Sequence, residues 1–217
     1  MTYKFALSGM PFGGGKTVIF IPDDLDSKSR HGLLRRYGEM VQKLGGLFFT
    51  GPDVGMSSTD IDIISETGSP YVFGRTPEAG GAGSSGPATA LGVFSGMQVA
   101  CEHVFGESSL NGRRVLVQGV GSVGGALIGY LRSAGADVMF SDIQEESICR
   151  FRDDFSLQCI SADKVYSVEC DIFAPCALGG VLNSKTIPQL KCRVVAGGAN
   201  NQLAEPEDAK RLTDRGI

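Results

Sequence analysis

The stretch that decides the fold is Arg114–Asp142, with the sequence RVLVQGVGSVGGALIGYLRSAGADVMFSD. Residues 114–118 are mostly apolar and predict a buried strand, residues 123–133 have the apolar spacing of a helix, and residues 137–141 predict a second strand. A strand, a crossover helix and a second strand of these lengths form a βαβ unit, in which the two strands are parallel. We therefore expect a parallel sheet covered by helices.

The same alternation extends in both directions from this stretch. Pro87 is typical of the first turn of a helix, and the apolar residues after it continue in helical spacing to Gly106. Later residues predict a helix near 145–155 and strands near 158–161, 171–174 and 193–196. We expect an α/β fold in which residues 86–217 form a Rossmann-type, doubly wound parallel sheet.

A glycine fingerprint follows the first strand of this stretch. Gly119, Gly121 and Gly124 form a GxGxxG motif that opens a predicted helix, and Asp142 ends the next strand. In a dinucleotide site such glycines allow a tight turn, approach of a pyrophosphate and close helix packing, while the acid binds ribose hydroxyls and repels a 2′-phosphate. The motif predicts NAD binding, with a purely structural glycine turn as the alternative. The predicted contacts are Gly119, Val120, Gly121, Ser122, Val123, Gly124 and Asp142.

The composition excludes several classes of protein. Of the 217 residues, 42% are hydrophobic and 20% are charged, which argues against a disordered chain. The net charge of −4, without a long basic run, argues against a nucleic-acid partner. No apolar stretch approaches the roughly 20 residues of a membrane span, and the first residues lack the apolar region of a signal peptide. We therefore expect a cytoplasmic protein without a membrane partner.

Glycine and cysteine are the two informative residue types. The 31 glycines occur in clusters, which indicates a binding protein whose backbone approaches its ligand at several points. The six cysteines and two histidines lack the spacing of metal ligands, so we expect reduced thiols and no metal site.

Residues 1–85 have a different pattern. They predict strands at 17–21 and 47–50 and helices at 27–44 and 58–67. A loop at 73–87 with five glycines and almost no apolar side chain is typical of a domain boundary. We therefore expect residues 1–85 to form a separate, smaller α/β domain.

Lys16 follows three glycines in this smaller domain. The segment contains Gly-Lys-Thr, but Met10 stands where a phosphate-binding P-loop needs its first glycine, and a strand is predicted after it instead of a helix. Burial beside that strand, with Lys4 as a second cation nearby, would lower the pKa of Lys16 and allow it to act as a general base. Two solvated surface lysines are the alternative.

Other polar candidates lie where predicted strands end. Asp53 is in the turn Gly51–Val54, where an aspartate that only caps the turn is the alternative. Asn200 and Asn201 follow the strand near 193–196, so their amides either reach a ligand at the carboxyl edge of the sheet or form a turn.

Several motifs resemble, in the same order, those of the glutamate/leucine/phenylalanine/valine dehydrogenase family, most closely the branch acting on leucine, phenylalanine and valine. They are Met1–Lys4 (MTYK), Gly13–Lys16 (GGGK), Gly51–Val54 (GPDV), Pro87–Ala90 (PATA), Gln118–Gly121 (QGVG), Asp171–Gly180 (DIFAPCALGG) and Ala199–Leu203 (ANNQL). The resemblance covers essentially the whole chain. It implies reversible, NAD-dependent oxidative deamination of an apolar L-amino acid to its 2-oxo acid and ammonia, by a homo-oligomer.

The resemblance also implies that residues 1–85 are part of a domain for substrate binding and oligomerisation, and it implies roles for individual residues. Lys16 is implied as the general base that activates water, Asp53 as its helper in proton transfer, and Lys4 as the cation that binds the substrate carboxylate. Positions implied at the NAD site are Thr89, Cys176, Ala177 and Asn200, and Asn201 is implied at the substrate. A non-catalytic NAD-binding fragment or paralogue is the alternative.

Members of this family have further residues before the Met1–Lys4 motif and after Ile217. We therefore expect this chain to be a piece of a longer protein, without the last strand of its dinucleotide sheet. Unpaired edges leave backbone groups without partners, so we also expect uncovered apolar surface in residues 1–85.

Overall fold

The computed structural model describes residues 1–22 and 24–217, which form two compact units, Met1–Ser85 and Gly86–Ile217. The first unit contains α1 (Thr2–Leu7), α2 (Ser27–Lys43) and α3 (Ser58–Gly68). The second contains α4 (Gly86–Phe105), β1 (Arg114–Gln118), α5 (Ser122–Ser133), β2 (Asp137–Ser141), α6 (Glu145–Cys149), β3 (Gln158–Cys159), β4 (Ile172–Pro175), β5 (Val194–Val195) and α7 (Glu207–Asp214).

The strands of the second unit form one parallel sheet. Their order is β3-β2-β1-β4-β5, and β1 lies in the centre, with Val115 opposite Val138 of β2 and Ile172 of β4. This is the strand order of the Rossmann fold, in which the direction of winding changes between β1 and β4. The predicted α/β fold with a parallel, Rossmann-type sheet is confirmed.

Alternate residues of β1 point into two separate cores. Val115 and Val117 are fully buried with residues of α4 and α5, including Met97 and Leu127. Leu116 points to the opposite face of the sheet, which is covered by the segments after β3 and β4 and by α7. Because both faces are covered, the central three residues of β1 and of β2 are all apolar, which explains why these strands lack polar alternation.

The edge strands and the helix after β2 differ from the prediction. The strands β3 and β5 have two residues each, fewer than predicted, because each lies at an edge and pairs on one side only. The helix predicted near 145–155 is α-helical only to Cys149 and continues as a π-helical turn, Arg150–Asp154. Within that turn Phe151 is buried, with its ring centroid 5.8 Å from that of Phe140.

The first unit is built on the packing of α2 against α3. Leu34 of α2 and Ile61 and Ile64 of α3 are almost completely buried together with Val72. The two helices approach closely at Gly38, where a Cβ atom would overlap the carbonyl oxygen of Ile64. Both helices begin at a side-chain cap: Asp26 accepts from the Ser29 N–H and Ser57 from the Asp60 N–H, which satisfies backbone donors of the first turn.

The predicted strands of residues 1–85 are wrong. Residues 17–21 form no strand, and residues 47–50 contribute only a single parallel bridge between Thr50 and Val72. An extended apolar segment becomes a strand only where a neighbouring strand accepts its hydrogen bonds, and the described residues provide no such ladder for 17–21. Its side chains are therefore uncovered: Val18 is 92% and Phe20 87% exposed.

The exposure of Val18 and Phe20 agrees with the uncovered apolar surface that the sequence predicts for residues 1–85.

Within the described residues, no helix combines the length and the apolar character needed to cross a membrane.

Truncation of Phe173 tests the core of the second unit. This side chain is fully buried in the centre of β4, so Phe173→Ala should lower the free energy of unfolding by about 3–5 kcal/mol in urea denaturation. Val99→Ala, at a position of α4 that is 68% exposed, is the control and should change it by less than about 0.5 kcal/mol. Similar losses for both variants would contradict the assigned sheet.

Candidate functional site

The loop after β1 is shaped by the first glycine of the fingerprint. Gly119 has φ +88°, and a Cβ atom there would lie 2.7 Å from the Cβ of Ala177, in the loop after β4. Only glycine adopts this backbone readily and leaves this space. The loop is anchored by the Gly119 N–H, which donates to the carbonyl oxygen of Ser141 at 2.7 Å.

The other two glycines have different physical reasons. A Cβ atom on Gly124 would overlap the carbonyl oxygen of Gly119, so this glycine allows α5 to begin directly against the loop. Gly121 is the N-cap of α5, and a Cβ atom there would meet no atom within 4 Å, so space is open at the start of the helix. No side chain caps this helix start. Backbone N–H groups and the helix dipole favour an anion at such a position.

Asp142 lies beside the same loop. Its carboxylate accepts hydrogen bonds from the backbone N–H groups of Val120 at 2.7 Å, Ile143 at 2.7 Å and Gln144 at 2.9 Å. These three donors hold the carboxylate at the carboxyl end of β2, next to the open space at Gly121. The structure thus places the predicted acid against the glycine loop.

Cys176 follows β4 and connects it to the end of β5. Its Sγ accepts from the Gly198 N–H at 3.4 Å, and its own N–H donates to the carbonyl oxygen of Gln118 at 2.7 Å. Burial raises the pKa of the Cys176 thiol, so this residue remains a protonated, unreactive thiol near neutral pH. The structure therefore gives Cys176 a place at the carboxyl end of β4 without an activated thiol.

The two asparagines follow β5 at the same edge of the sheet. Both are exposed, and the Gly180 N–H donates to the carbonyl oxygen of Asn201 at 2.8 Å. Asn201 has φ +46°, a left-handed conformation that asparagine tolerates better than most residues. The turn, one of the two alternatives that the sequence leaves open, is present, and both asparagines are exposed.

Thr89 lies in the first turn of α4 and is exposed. This turn contacts the start of α5, because a Cβ atom on Gly86 would overlap the hydroxyl oxygen of Ser122. The structure therefore brings together, at the carboxyl edge of one sheet, all residues of the second unit that the sequence selects. These are Thr89, Gly119, Val120, Gly121, Ser122, Val123, Gly124, Asp142, Cys176, Ala177, Asn200 and Asn201.

In the first unit, Lys16 forms an ion pair with Asp53. The two side chains are 56% and 45% exposed, so the expected burial of Lys16 is not found. The physical reason is that residues 17–21 form no strand, so the buried strand that was predicted beside Lys16 is missing. The structure does bring together the lysine and the aspartate, which lie far apart in the sequence.

The loop that carries Asp53 is firmly anchored. Thr50 bridges to Val72, and its hydroxyl lies 2.8 Å from that of Tyr37 in α2. A Cβ atom on Gly51 would overlap the ring of Phe73, which packs directly against this loop. The glycine of the Gly51–Val54 motif is thus required by packing, and it fixes where Asp53 emerges.

Lys4 lies in α1, a helix that the sequence did not predict. The structure adds two residues that sequence reasoning missed. The hydroxyl of Thr2 accepts from the Gly14 N–H at 3.0 Å, and the ring of Phe48 lies against Gly15. The available signal was the position of Thr2 inside the MTYK motif, two residues before Lys4.

No group of three or more metal-ligating side chains is found in the part of the chain that the structure describes.

Comparison with known families agrees with this arrangement. A model described as "Glu/Leu/Phe/Val dehydrogenase, dimerisation domain" matches residues 1–69, and one described as "Glutamate/Leucine/Phenylalanine/Valine dehydrogenase" matches residues 138–217. The chain belongs to the Glu/Leu/Phe/Val dehydrogenase family. The resemblance seen in the sequence motifs is thereby confirmed.

Individual members of the Glu/Leu/Phe/Val dehydrogenase family match over the whole chain. The chain is 45% identical over 217 residues to a leucine dehydrogenase of Geobacillus stearothermophilus and 44% identical over 220 residues to a valine dehydrogenase of Streptomyces virginiae. It spans 58% and 61% of the lengths of these two relatives.

Solved structures also match the whole chain. The L-tryptophan dehydrogenase from Nostoc punctiforme is 37% identical with a TM-score of 0.72, and the chain covers 60% of it. The hetero-hexameric glutamate dehydrogenase from Thermus thermophilus is 25% identical with a TM-score of 0.82, and the chain covers 57% of it.

Two glycine-to-alanine variants in α5 test the role assigned to Gly124. Gly124→Ala should destabilise the second unit by more than about 2 kcal/mol, because the added Cβ has to displace the Gly119 loop. Gly129→Ala adds a Cβ that meets no atom within 4 Å, so the better helix propensity of alanine should stabilise the protein by about 0.5–1 kcal/mol. Urea denaturation measures both values, and a neutral Gly124→Ala would contradict the close approach.

Proposed function

We propose that the protein is an NAD-dependent dehydrogenase that reversibly deaminates an apolar L-amino acid to its 2-oxo acid and ammonia. The observation that carries the proposal is the Lys16–Asp53 ion pair, placed on a glycine turn in a family member that also has a dinucleotide fingerprint. A simple NAD-binding module has no need of such a pair. In this proposal Met1–Ser85 supplies the two lysines and Gly86–Ile217 supplies the cofactor site.

The residues of the second unit fit NAD. The space at Gly121 and the uncapped start of α5 suit a pyrophosphate, and the carboxylate of Asp142 suits the two hydroxyls of an adenosine ribose. The negative charge of Asp142 disfavours a 2′-phosphate, which favours NAD over NADP. A bound NAD would supply the hydride acceptor for the oxidation of the substrate carbon.

The first unit supplies the proton chemistry. Once the substrate carbon has been oxidised to the C=N level, Lys16 takes a proton from the water that adds to this carbon. Asp53, which is paired with Lys16, transfers a proton to or from the substrate nitrogen, which leaves as ammonia when the C–N bond breaks. Lys4 binds the substrate carboxylate as a fixed cation, and Asn201 contacts the substrate near the nicotinamide-binding residue Asn200. Thr89, Cys176 and Ala177 complete the cofactor contacts.

The names of the relatives support an apolar substrate. The two sequence relatives are named for leucine and valine, and the solved structure with 37% identity is named for L-tryptophan. All three amino acids have apolar side chains that differ mainly in size. We therefore propose an apolar L-amino acid as the substrate class.

We also propose that the protein acts as a homo-oligomer. The family model that matches residues 1–69 is described as a dimerisation domain, and within that range Leu7, Phe20 and Leu47 are each at least 87% exposed. Large exposed apolar surface is typical of protein–protein contacts.

Replacing Lys16 tests the reaction. In the complete protein, Lys16→Ala should lower kcat for L-leucine, L-valine or L-phenylalanine by about 10²–10⁴-fold, the usual contribution of a positioned general base. Its Kd for NAD should stay within about twofold, because the Gly119 loop is unchanged. Absorbance of NADH and calorimetric titration with NAD measure the two quantities.

Lys43→Ala is the control for this experiment, since Lys43 is an exposed lysine at the end of α2. It should leave both kcat and the Kd for NAD unchanged. Binding of NAD by the wild-type protein without turnover of any apolar amino acid would overturn the proposal in favour of a non-catalytic NAD-binding protein.

Replacing Asp142 tests the choice of cofactor. Asp142→Asn retains an oxygen that accepts hydrogen bonds from the loop but removes the negative charge, so the preference for NAD over NADP, as a ratio of kcat/KM values, should fall about tenfold or more. Asp137→Asn, which removes a charge at the start of β2, the strand that precedes Asp142, should leave this ratio unchanged. An unaltered ratio in Asp142→Asn would show that another residue selects the cofactor.

A further inference from the structure

The chain that follows α1 runs back along this helix. The Met10 N–H donates to the carbonyl oxygen of Phe5 at 3.0 Å, and the rings of Phe5 and Phe12 meet edge to face with centroids 5.7 Å apart. Because α1 has only six residues and is about 9 Å long, this short return brings residue 14 level with the first residue of the helix.

At the end of this return, Gly14 packs against Thr2. The Gly14 N–H donates to the Thr2 hydroxyl oxygen at 3.0 Å, and a Cβ atom on Gly14 would overlap the backbone nitrogen of Thr2. The two residues are twelve positions apart, so the contact is tertiary rather than part of a local turn. The close approach requires glycine at position 14, and the hydroxyl directs the hydrogen bond.

The other side of the glycine turn is held by different residues. A Cβ atom on Gly15 would lie 2.8 Å from the ring of Phe48, and Lys16 pairs with Asp53. The turn therefore sits between α1 on one side and the loop after α2 on the other. It is attached both to Asp53, the proposed proton-transfer partner, and to the hydroxyl of Thr2.

We propose that Thr2 is a positioning residue, whose hydroxyl fixes the turn that carries Lys16 relative to α1, the helix that carries Lys4. This inference rests on the proposed function, in which Lys4 holds the substrate carboxylate and Lys16 supplies the base. The substrate carbon lies a fixed distance from its own carboxylate, so the base is aligned only when the spacing of the two lysines is fixed. Small displacements of a catalytic group are costly to the rate.

The test compares two variants of Thr2 in the complete protein. Thr2→Val keeps the shape but removes the hydroxyl, so kcat for the amino acid should fall about tenfold, while the KM values for NAD and for the amino acid change less than threefold. Thr2→Ser retains the hydroxyl and should stay within about twofold of wild type in all three quantities. A hydroxyl that served only stability would lower Tm in Thr2→Val without changing kcat per folded active site.

Hydrogen exchange gives a readout that does not depend on turnover. Exchange of the segment that contains Gly14, measured by mass spectrometry, should be at least fivefold faster in Thr2→Val and unchanged in Thr2→Ser. Unchanged exchange in Thr2→Val, a wild-type kcat in that variant, or equal impairment of the valine and serine variants would each overturn the proposal. Failure of the wild-type protein to turn over any amino acid would instead overturn the proposed function, and the exchange data would still decide whether the hydroxyl holds the turn.

Discussion

The close approach of two backbone loops at the carboxyl ends of β1 and β4 is the constraint on which the second unit depends. Gly119 leaves room for Ala177, and Gly124 leaves room for the carbonyl oxygen of Gly119, so α5 begins directly above the sheet. A side chain at either position would separate helix, loop and sheet, and the start of α5 would no longer face the edge where Asp142 and Cys176 lie. The geometry of the candidate cofactor site therefore depends on the absence of two Cβ atoms.

A similar constraint shapes the first unit, although its described residues form no sheet. The glycine turn before Lys16 packs against Thr2 through Gly14 and against Phe48 through Gly15. The Lys16–Asp53 pair is largely exposed, and ion pairs of this kind contribute little to stability. The position of Lys16 therefore depends mainly on close backbone packing, which is why glycines precede it.

The accuracy of sequence reasoning differs between the two units for a physical reason. The strands β1 and β2 agree residue for residue with the prediction, because the interior of each strand is continuously apolar and Gly119 or Asp142 follows its end. Residues 17–21 have the same apolar character but form no strand, since pairing depends on a neighbour that the segment itself does not specify. The helix α1 and the contact of Thr2 with Gly14 were also missed, because six residues are too few to show helical periodicity and the contact joins distant positions.

By itself, the sequence determined the family, the Rossmann-type sheet and the identity of the glycines, acids and lysines that form the candidate sites. These properties follow from local patterns, namely strand and helix periodicity, turn residues and motif order. Only the tertiary structure decided that Asp142 binds the backbone of Val120, that Lys16 pairs with Asp53 and stays exposed, and that Thr2 holds Gly14. Each of these contacts joins residues far apart in the chain, so its geometry exists only after the elements have packed.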